Sequence, residues 1–337
     1  MRSRLCLFDI FGPATFVVAV GLCECLRCAI SVVDSDDTEQ ADLRGRRSPW
    51  FAAAQHGVRR DVAENMICDA LIVGGGITGS VIAERLTRQS LNVVIIDREL
   101  PGRGSTAAST SMLLWEIDRS LTQLTELYGF ETASRAYLAS LHAVAGLKSL
   151  VLQLGVACEL RDKDSLYLAA GDTNRDLLGE HQLRERAGLP GDFLDHRTLL
   201  DIYGIARAGA IVSPGAADAD PMQLAGGLLR VAVARGARVF NAEAIEFDAA
   251  ARSVGVELRN GRQIEARSVI LATGYVMPAI IHSTVQTISS SWAIATRPQP
   301  QKVWKDGALI WENSKATSTR ERRRPDVSSS GAKTATK

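Results

Sequence analysis

The stretch ALIVGGGITG occupies residues 70–79, and the chain continues from it as SVIAERLTRQSLNVVIID to residue 97. The apolar runs ALIV and VVII have the composition of buried parallel strands. Between these runs, Val81, Ala83 and Leu86 lie at helical spacing. The stretch therefore predicts a strand, a glycine turn, a helix and a second strand that ends in Asp97.

Each glycine of this turn has a physical role in holding a dinucleotide. Gly74 allows the tight turn, Gly76 lets the backbone approach a pyrophosphate, and Gly79 lets the helix pack closely on the strand. The helix N-terminus presents unpaired N–H groups and the positive end of its dipole to phosphates. Asp97 is able to accept hydrogen bonds from both ribose hydroxyls. The pattern predicts a nucleotide site rather than a glycine turn without a nucleotide, but NAD and FAD both use such a unit.

Two further segments help to choose between these dinucleotides. Residues 102–110, GRGSTAAST, are rich in small residues, which at a helix start leave room for a bulky ligand and expose N–H groups to its phosphates. Residues 268–271, SVIL, form another predicted buried strand, which is followed closely by Thr273 and Gly274. Ligands bind at the carboxyl edge of open α/β sheets, so this strand end is a second predicted contact.

Length, composition and charge limit the class of protein. The chain has 337 residues, 46% of them apolar, and a formal net charge of +1. These values favour two domains and exclude a disordered, collagen-like or small disulfide-bonded chain. The near-neutral charge gives no reason to expect nucleic acid as a partner. Residues 313–337 hold seven Lys and Arg against two Asp and Glu, and we expect them to be a disordered basic tail.

The cysteines and the N-terminal residues carry weaker signals. After residue 28 the cysteines are Cys68 and Cys158, which suggests a reducing compartment and a cytoplasmic protein. The three cysteines at 23–28 lack a second pair at zinc spacing, so no metal is predicted. We leave residues 1–47 as an unassigned N-terminal extension, although their apolar stretch loosely resembles a secretory signal. This stretch is too interrupted to predict a membrane span.

Four pieces of the chain jointly resemble the D-amino-acid oxidase superfamily of FAD-dependent oxidoreductases, which includes glycine oxidase, sarcosine oxidase and γ-glutamylputrescine oxidase-type enzymes. The pieces are residues 68–99, 102–116, 217–237 and 268–275, and the resemblance covers roughly residues 47–312. The third piece contains Ala219-Asp220-Pro221, a predicted helix and then Arg235-Gly236-Ala237. The motifs are specific to the superfamily and not to one substrate.

The resemblance implies FAD as the cofactor and a set of residues around it. The residues expected to contact its pyrophosphate, adenosine or flavin are Gly74, Gly76, Ile77, Thr78, Gly79, Asp97, Arg98, Gly104, Ser105, Thr106, Ser109, Ile245, Thr273 and Gly274. Ile245 is expected on a strand that runs from Phe240 to Phe247. The catalytic residue stays unassigned, because the cofactor carries the chemistry and the five histidines form no cluster.

The resemblance also implies an α/β fold with two domains. The first is a Rossmann-like FAD-binding domain with a mostly parallel sheet, expected at 66–160 and 213–284. The second is an incomplete α+β substrate domain with an antiparallel sheet, expected at 161–212 and 285–312. Apolar spacing in residues 117–154 predicts two amphipathic helices that break near Tyr128-Gly129. Ser165–Ala169 and Gln286–Thr296 are predicted strands.

The function implied by the resemblance is oxidation of a small amine or amino acid by hydride transfer from its CH–NH carbon to the flavin. Oxidation of a CH–OH carbon, a nucleotide-binding remnant without catalysis and, least favoured, an NAD-binding protein are the alternatives. Family members continue beyond the Trp311-Glu312 position, where this chain enters its basic tail, so it resembles a C-terminally truncated member and weak or no turnover is expected. A frame-shifted continuation is our hypothesis for the tail. Oligomeric state and electron acceptor stay open.

Overall fold

The structure is a computed structural model that describes residues 48, 50, 60–171, 173–249, 252–276 and 304–312, together with the strand backbone of four short segments. These segments are Thr15–Val18, Ile294–Ala295, Thr319–Arg323 and Val327–Ser330. The described residues divide into two compact units. The first unit holds residues 60–108 and 221–276, and the second unit holds residues 109–220 and 304–312.

The described part of the chain holds fifteen strands, six α-helices and a short 3₁₀ helix at Lys305–Gly307. The strands are β1 Thr15–Val18, β2 Met66–Val73, β3 Val93–Asp97, β4 Met112–Leu113, β5 Arg161–Leu168, β6 Asp192–Asp195, β7 Gly209–Asp218, β8 Arg238–Asn241, β9 Ala244–Ala249, β10 Val254–Leu258, β11 Gln263–Leu271, β12 Ile294–Ala295, β13 Leu309–Glu312, β14 Thr319–Arg323 and β15 Val327–Ser330. The helices are α1 Ile77–Thr87, α2 Leu121–Tyr128, α3 Phe130–Leu154, α4 Arg175–Arg186, α5 His196–Tyr203 and α6 Pro221–Ala234.

The first unit is built on a sheet with the strand order β8-β3-β2-β11-β10-β9, and β1 also pairs with β11. The β8, β3, β2 and β11 pairings are parallel, whereas β10 pairs antiparallel with both β11 and β9. The predicted runs ALIV and VVII lie in the two central strands, and their side chains are buried on both faces of the sheet, one of which helices α1 and α6 cover. The mixed parallel and antiparallel α/β fold is confirmed.

Three predicted strands differ from the observed ones. β2 and β11 begin earlier than the predicted runs, at Met66 and Gln263, because their first residues pair with each other or with β10. The predicted strand from Phe240 to Phe247 is wrong as one element. It divides into β8 and β9, since β8 pairs with β3 whereas β9 pairs with β10 at the other end of the sheet order.

Glu84 of helix α1 is a buried carboxylate in the first unit. Its Oε1 accepts hydrogen bonds from Arg88 Nη2 and Arg235 Nη1, each at 2.7 Å. Arg88 ends the same helix, whereas Arg235 directly follows α6 and so ties α1 to the end of α6. Burial acts to raise the pKa of Glu84, but the hydrogen bonds and charges of the two arginines outweigh it and hold the pKa below its ordinary value. The carboxylate therefore stabilises the fold where it is ionised.

A Glu84→Gln substitution is expected to lower the free energy of unfolding at pH 7 by about 1–3 kcal/mol, because two arginines lose a charged acceptor. Since folding lowers the pKa of Glu84, its stabilisation is present above its ordinary pKa of 4.5 and is lost as the pH falls through the folded value. The difference in unfolding free energy between the unsubstituted chain and the variant should therefore shrink towards acid pH. Urea unfolding at pH 7 and below pH 4 measures it, and Glu64→Gln, at an exposed position of the same unit, is the control. An equal deficit at both pH values would contradict the assignment.

The second unit is built on a sheet with the order β12-β15-β14-β13-β5-β7-β4, and β6 also pairs with β7. All described pairings in this sheet are antiparallel except the parallel pair of β13 and β5. The predicted strand Ser165–Ala169 falls mostly within β5. The predicted helix break is confirmed: α2 begins at a capping box of Ser120 and Gln123, and Gly129, with a φ of +81°, separates it from α3.

The observed division of the chain differs from the predicted domain boundaries. Residues 109–160 and 213–220 belong to the second unit, although the sequence predicts them in the cofactor domain. The reason is that β4 pairs with β7, and helices α2 and α3 bury Leu121 and Tyr137 in the core of the second unit. By length and composition α3 is also apolar enough to cross a membrane, which for a single helix is weak support for a span.

Described strands occur in three segments near the two ends of the chain: the predicted tail, the predicted strand Gln286–Thr296 and the unassigned segment 1–47. β14 and β15 lie within the predicted disordered tail, and both contribute antiparallel backbone pairs to the second sheet. Backbone pairing needs no apolar side chains, so composition does not reveal it. Of the predicted strand Gln286–Thr296, the part that the structure describes is Ile294–Ala295, and the rest lies outside the described residues. β1 falls within the unassigned segment 1–47, and it pairs with Ser268–Leu271.

Arg184, Glu180 and Glu116 are buried charged side chains that lie together in the core of the second unit, and we name them the Arg184 cluster. Arg184 is 2% exposed. Its Nε donates to Glu180 Oε1 at 2.8 Å, and its Nη1 lies 3.7 Å from Glu116 Oε1. The guanidinium also lies over the rings of Trp115, Tyr137 and Tyr167. Such a cluster is costly to bury and depends on every partner.

Glu180 also connects the Arg184 cluster to the start of helix α2. Its carboxylate accepts hydrogen bonds from the amides of Leu121 and Thr122, at 2.9 and 2.8 Å, and from the Thr122 hydroxyl. Burial acts to raise the pKa of Glu180, but Arg184 and these donors outweigh it and hold the pKa below its ordinary value. For Glu116, burial dominates and raises the pKa.

Candidate cofactor-binding site

The ends of three parallel strands form one edge of the first unit. Gly74 follows β2, Asp97 ends β3, and Thr273 and Gly274 follow β11, and these strands are neighbours in the sheet. Backbone hydrogen bonds connect the ends directly, from Gly74 N to Ile96 O and from Ala272 N to Val73 O, both at 2.8 Å. The predicted carboxyl-edge site is thus assembled from residues far apart in the chain.

Gly74 and Gly79 meet backbone at distances that exclude a side chain. Gly74 has a φ of +112°, and a Cβ on it would lie 2.2 Å from the carbonyl oxygen of Ala272. A Cβ on Gly79 would lie 2.0 Å from the carbonyl oxygen of Gly74. The first glycine therefore allows the turn between neighbouring strand ends, and the second allows helix α1 to begin against that turn.

The N-terminus of helix α1 is capped by a residue from another loop. The amide of Ile77 donates to the Thr106 hydroxyl at 3.0 Å, and Gly76, which precedes the helix, provides no side chain for this purpose. A Cβ on Gly76 would lie 3.0 Å from the same hydroxyl oxygen. Helix geometry leaves the first-turn amides without intrahelical partners, so this end of α1 suits an anionic group.

Asp97 is held in one orientation by two backbone amides. Its Oδ2 accepts from Gly75 N at 2.7 Å and its Oδ1 accepts from Glu99 N at 2.9 Å. Burial raises the pKa of Asp97, and the two amide hydrogen bonds oppose this rise. Each carboxylate oxygen keeps a second lone pair for a further donor such as a ribose hydroxyl.

The glycine-serine-threonine segment forms consecutive turns over residues 101–108, so the helix start expected there is wrong. Gly102, with a φ of +81°, donates its amide to Gly75 O at 3.1 Å and so joins the two glycine turns. Ser105 lies beside Gly274, where a Cβ would be 3.1 Å from its hydroxyl oxygen. The turns keep the segment against the sheet edge without a helical backbone.

The remaining predicted residues are placed less closely. Arg98 and Gly104 are exposed, and Thr78 is half-buried in the first turn of α1. Ile245 is 50% exposed on β9, at the opposite end of the sheet order from β8. Ser109 belongs to the second unit, where its hydroxyl accepts from the Ser111 amide. Sequence proximity to the motif therefore does not by itself place a residue at the strand ends.

Asn241 is a residue of this edge that sequence reasoning missed. It ends β8 and lies opposite Asp97 in the parallel pair with β3. Its side chain donates to the backbone that follows Asp97. The available signal was a polar residue at the carboxyl end of an apolar strand, the same signal that identified Asp97.

Other chemistry in the described residues is limited. No group of three or more His, Cys, Asp and Glu that is able to hold a metal occurs within them. The second unit has an open cavity of about 710 Å³ whose charged and polar lining includes Asn174, His196, Arg207 and Glu312. Arg207 and Glu312 lie 3.5 Å apart, so their charges offset each other. This cavity supplies no assigned catalytic group.

Comparisons with known proteins support one family. A family model described as "FAD dependent oxidoreductase" matches residues 69–325. Glycine oxidase of Geobacillus kaustophilus (strain HTA426) is 27% identical over 212 residues, which are 61% of this chain and 54% of that protein. Gamma-glutamylputrescine oxidoreductase of Escherichia coli (strain K12) is 26% identical over 219 residues, 62% of this chain and 49% of that protein.

Solved structures agree with the fold. The crystal structure of glycine oxidase from Geobacillus kaustophilus matches with a TM-score of 0.61 at 20% identity, over 79% of this chain and 71% of that one. At this identity the likeness shows the fold alone. The chain spans about half the length of the two curated relatives described above, with 54% and 49% of them covered.

Proposed function

The chain belongs to the family of FAD-dependent oxidoreductases, and from this premise we propose that it binds FAD and oxidises a small amine or amino acid at the carbon bonded to nitrogen. The binding step rests on the turn at Gly74 and Gly79, which has no room for a Cβ atom at either position. This turn lies beside the Asp97 carboxylate, which the Gly75 amide holds in place. The names of two relatives, glycine oxidase and gamma-glutamylputrescine oxidoreductase, support the substrate class.

The residues of the first unit fit the adenosine half of FAD. The N-terminus of α1, with Gly76 beside it, suits the pyrophosphate because of its amides and dipole. In this proposal the Asp97 carboxylate accepts hydrogen bonds from the ribose hydroxyls, through the lone pairs that the amides of Gly75 and Glu99 leave unused. Thr106, whose oxygen accepts from Ile77, is able to direct its own proton to a phosphate oxygen.

When bound, the flavin of FAD accepts a hydride from the substrate carbon. The described residues contribute binding and orientation to this reaction. The carboxyl edge of the first sheet is bordered by the turns at 101–108 and by the strand end at Thr273 and Gly274. We expect the rest of FAD to lie along these two segments. No acid or base is assigned, because the cofactor supplies the reactive centre.

An Asp97→Asn substitution is expected to weaken FAD binding by about 10- to 100-fold, because a charged acceptor for two hydroxyls becomes a neutral amide. Titration of flavin fluorescence measures the dissociation constant. Asp248→Asn, at an exposed position of β9, is the control and should leave the constant unchanged. Absence of FAD binding by the unsubstituted chain, or equal affinity for NAD, would contradict the proposed function.

Turnover is tested separately from binding. The full chain is loaded with FAD and mixed with a panel of primary amines, secondary amines and amino acids, and flavin bleaching under anaerobic conditions is recorded. Bleaching by members of this panel but not by matched alcohols supports oxidation at a CH–NH carbon. Equal bleaching by the matched alcohols, or bleaching by no member of the amine and amino-acid panel, would contradict this part of the proposal.

A cytoplasmic location is part of the proposal and rests on the cysteines. Cys68 and Cys158 are free, buried thiols. Burial raises the pKa of Cys68 to about 12, which keeps it protonated and unreactive at neutral pH. Unpaired thiols of this kind agree with a reducing compartment.

A further inference from the structure

The side-chain amide of Asn241 collects three consecutive backbone carbonyls. Its Nδ2 lies 3.0 Å from Asp97 O, 3.0 Å from Arg98 O and 3.2 Å from Glu99 O. An amide nitrogen carries two hydrogens, so three acceptors share two donors. The three carbonyls must therefore converge on one point, which fixes the path of the chain after β3.

Asn241 is itself anchored by the sheet. Its backbone amide donates to Arg60 O at 2.8 Å, and the next amide, of Ala242, donates to Asp97 O at 2.9 Å. Asn241 and Asp97 are also partners in the parallel register of β8 and β3. The donor is thus held rigidly opposite the backbone that it orders, and the residue is half-buried rather than free in solvent.

The backbone ordered by Asn241 is the turn that orients Asp97. Oδ1 of Asp97 accepts from the amide of Glu99, two residues on, which is an Asx-turn. The carboxylate and the three carbonyls belong to this one turn, so movement of residues 97–99 moves the carboxylate. We propose that Asn241 is a positioning residue that presets the Asp97 carboxylate for the ribose hydroxyls of the bound dinucleotide, a role that rests on the proposed function.

The consequence is an effect on cofactor affinity through preorganisation. With Asn241 present, the turn is ordered before the ligand arrives, and binding does not bear the entropy of ordering it. Without the side-chain amide, Asp97 samples other orientations and the ligand must select the productive one. Asn241 itself needs no contact with the cofactor for this effect.

An Asn241→Ala substitution in the full chain is expected to weaken FAD binding about tenfold, measured by flavin fluorescence. In a chain that already carries Asp97→Ala, the same substitution should change the FAD dissociation constant less than about twofold, because the carboxylate that it positions is gone. Hydrogen exchange of the Glu99 amide, measured before FAD is added, should be faster in the Asn241→Ala chain. The exchange readout requires no turnover.

Asn92→Ala is the matched control, because Asn92 also uses its side-chain amide on a backbone carbonyl, that of Ile67, but at the opposite end of β3. It should leave the FAD affinity and the Glu99 exchange unchanged. If Asn241→Ala does not fold, Asn241→Ser, whose single hydroxyl donor cannot serve three carbonyls, is measured with the same expected direction.

The proposal would be overturned if Asn241→Ala weakens FAD binding equally in chains with Asp97 and with Asp97→Ala. An unaltered exchange rate of the Glu99 amide in Asn241→Ala would overturn it as well. If the unsubstituted chain fails to bind FAD, the proposed function fails and the ribose role with it. The exchange rate of Glu99 still reports in that case whether Asn241 orders the turn, so the two failures are distinguishable.

Discussion

A Gly79→Ala substitution is expected to abolish measurable FAD binding and to lower the free energy of unfolding by about 3 kcal/mol or more. The added Cβ would lie 2.0 Å from the carbonyl oxygen of Gly74 and 3.3 Å from the side chain of Ile72. Backbone at that distance cannot yield as a flexible side chain does, so helix α1 must move away from the strand. Because α1 carries the amides that are to meet the pyrophosphate, its movement removes the binding geometry as well as the packing.

The Gly79→Ala experiment has a matched control in the same unit. A Cβ on Gly255 of β10 would lie 3.9 Å from its nearest neighbour, the carbonyl oxygen of Asp248, so Gly255→Ala adds the same methyl group at an ordinary contact distance. It should change neither the urea midpoint nor the FAD dissociation constant by more than a small amount. If Gly79→Ala unfolds at the same urea concentration as Gly255→Ala and binds FAD as tightly, the close contact of α1 with the glycine turn is not required.

Replacing Arg184 with methionine is expected to lower the free energy of unfolding by about 3–5 kcal/mol at pH 7. The substitution keeps much of the buried volume but leaves the carboxylates of Glu180 and Glu116 without their cation. It also removes the guanidinium from the rings of Trp115 and Tyr137. The start of helix α2, which Glu180 caps, should lose protection from hydrogen exchange in the same variant.

The pH dependence of this loss has a defined sign. In the unsubstituted chain Arg184 holds the pKa of Glu180 low, so its stabilisation is present above the ordinary glutamate pKa and is lost as the pH falls. Without Arg184, burial raises both carboxyl pKa values, and the stability of the variant is lost as the pH rises through them. The loss of unfolding free energy in Arg184→Met should therefore be largest near neutral pH and become smaller towards pH 4.

Urea unfolding at several pH values measures the Arg184 effect, with Arg175→Met as the matched control. Arg175 lies exposed at the start of the same helix, α4, and its replacement should cost less than about 0.5 kcal/mol. A deficit of Arg184→Met that is small, or that is constant from pH 4 to pH 7, would show that the cluster does not stabilise the second unit as an ion network.

Local pattern was sufficient for many elements of the fold. The run ALIV lies in β2, the run VVII lies in β3, and the break between two helices falls at Gly129 as its spacing predicts. Prediction fails where the outcome depends on a distant partner. Small residues at 101–108 form turns, because Gly102 bonds back to Gly75 and Thr106 reaches Ile77 instead of continuing a helix.

The site shows the same division. The residue types of the glycine turn and of Asp97 are recognisable, because a tight turn and an acid after a strand have local sequence signatures. The Arg184 cluster has no such signature: Glu180 and Arg184 lie four residues apart on α4, a spacing that is also typical of exposed helix pairs. Their burial depends on strands and helices contributed from elsewhere in the second unit.

By itself, the sequence determined the strand, turn and helix around Gly74, the acid that follows, and the family to which these belong. Only the tertiary structure decided that Thr106 caps Ile77 from 29 residues away and that Asn241 holds the turn of Asp97 from 144 residues away. The physical reason is that backbone conformation and apolar periodicity are encoded by neighbouring residues. The partner of a polar side chain is instead set by which distant segments the packed sheet brings within hydrogen-bond reach.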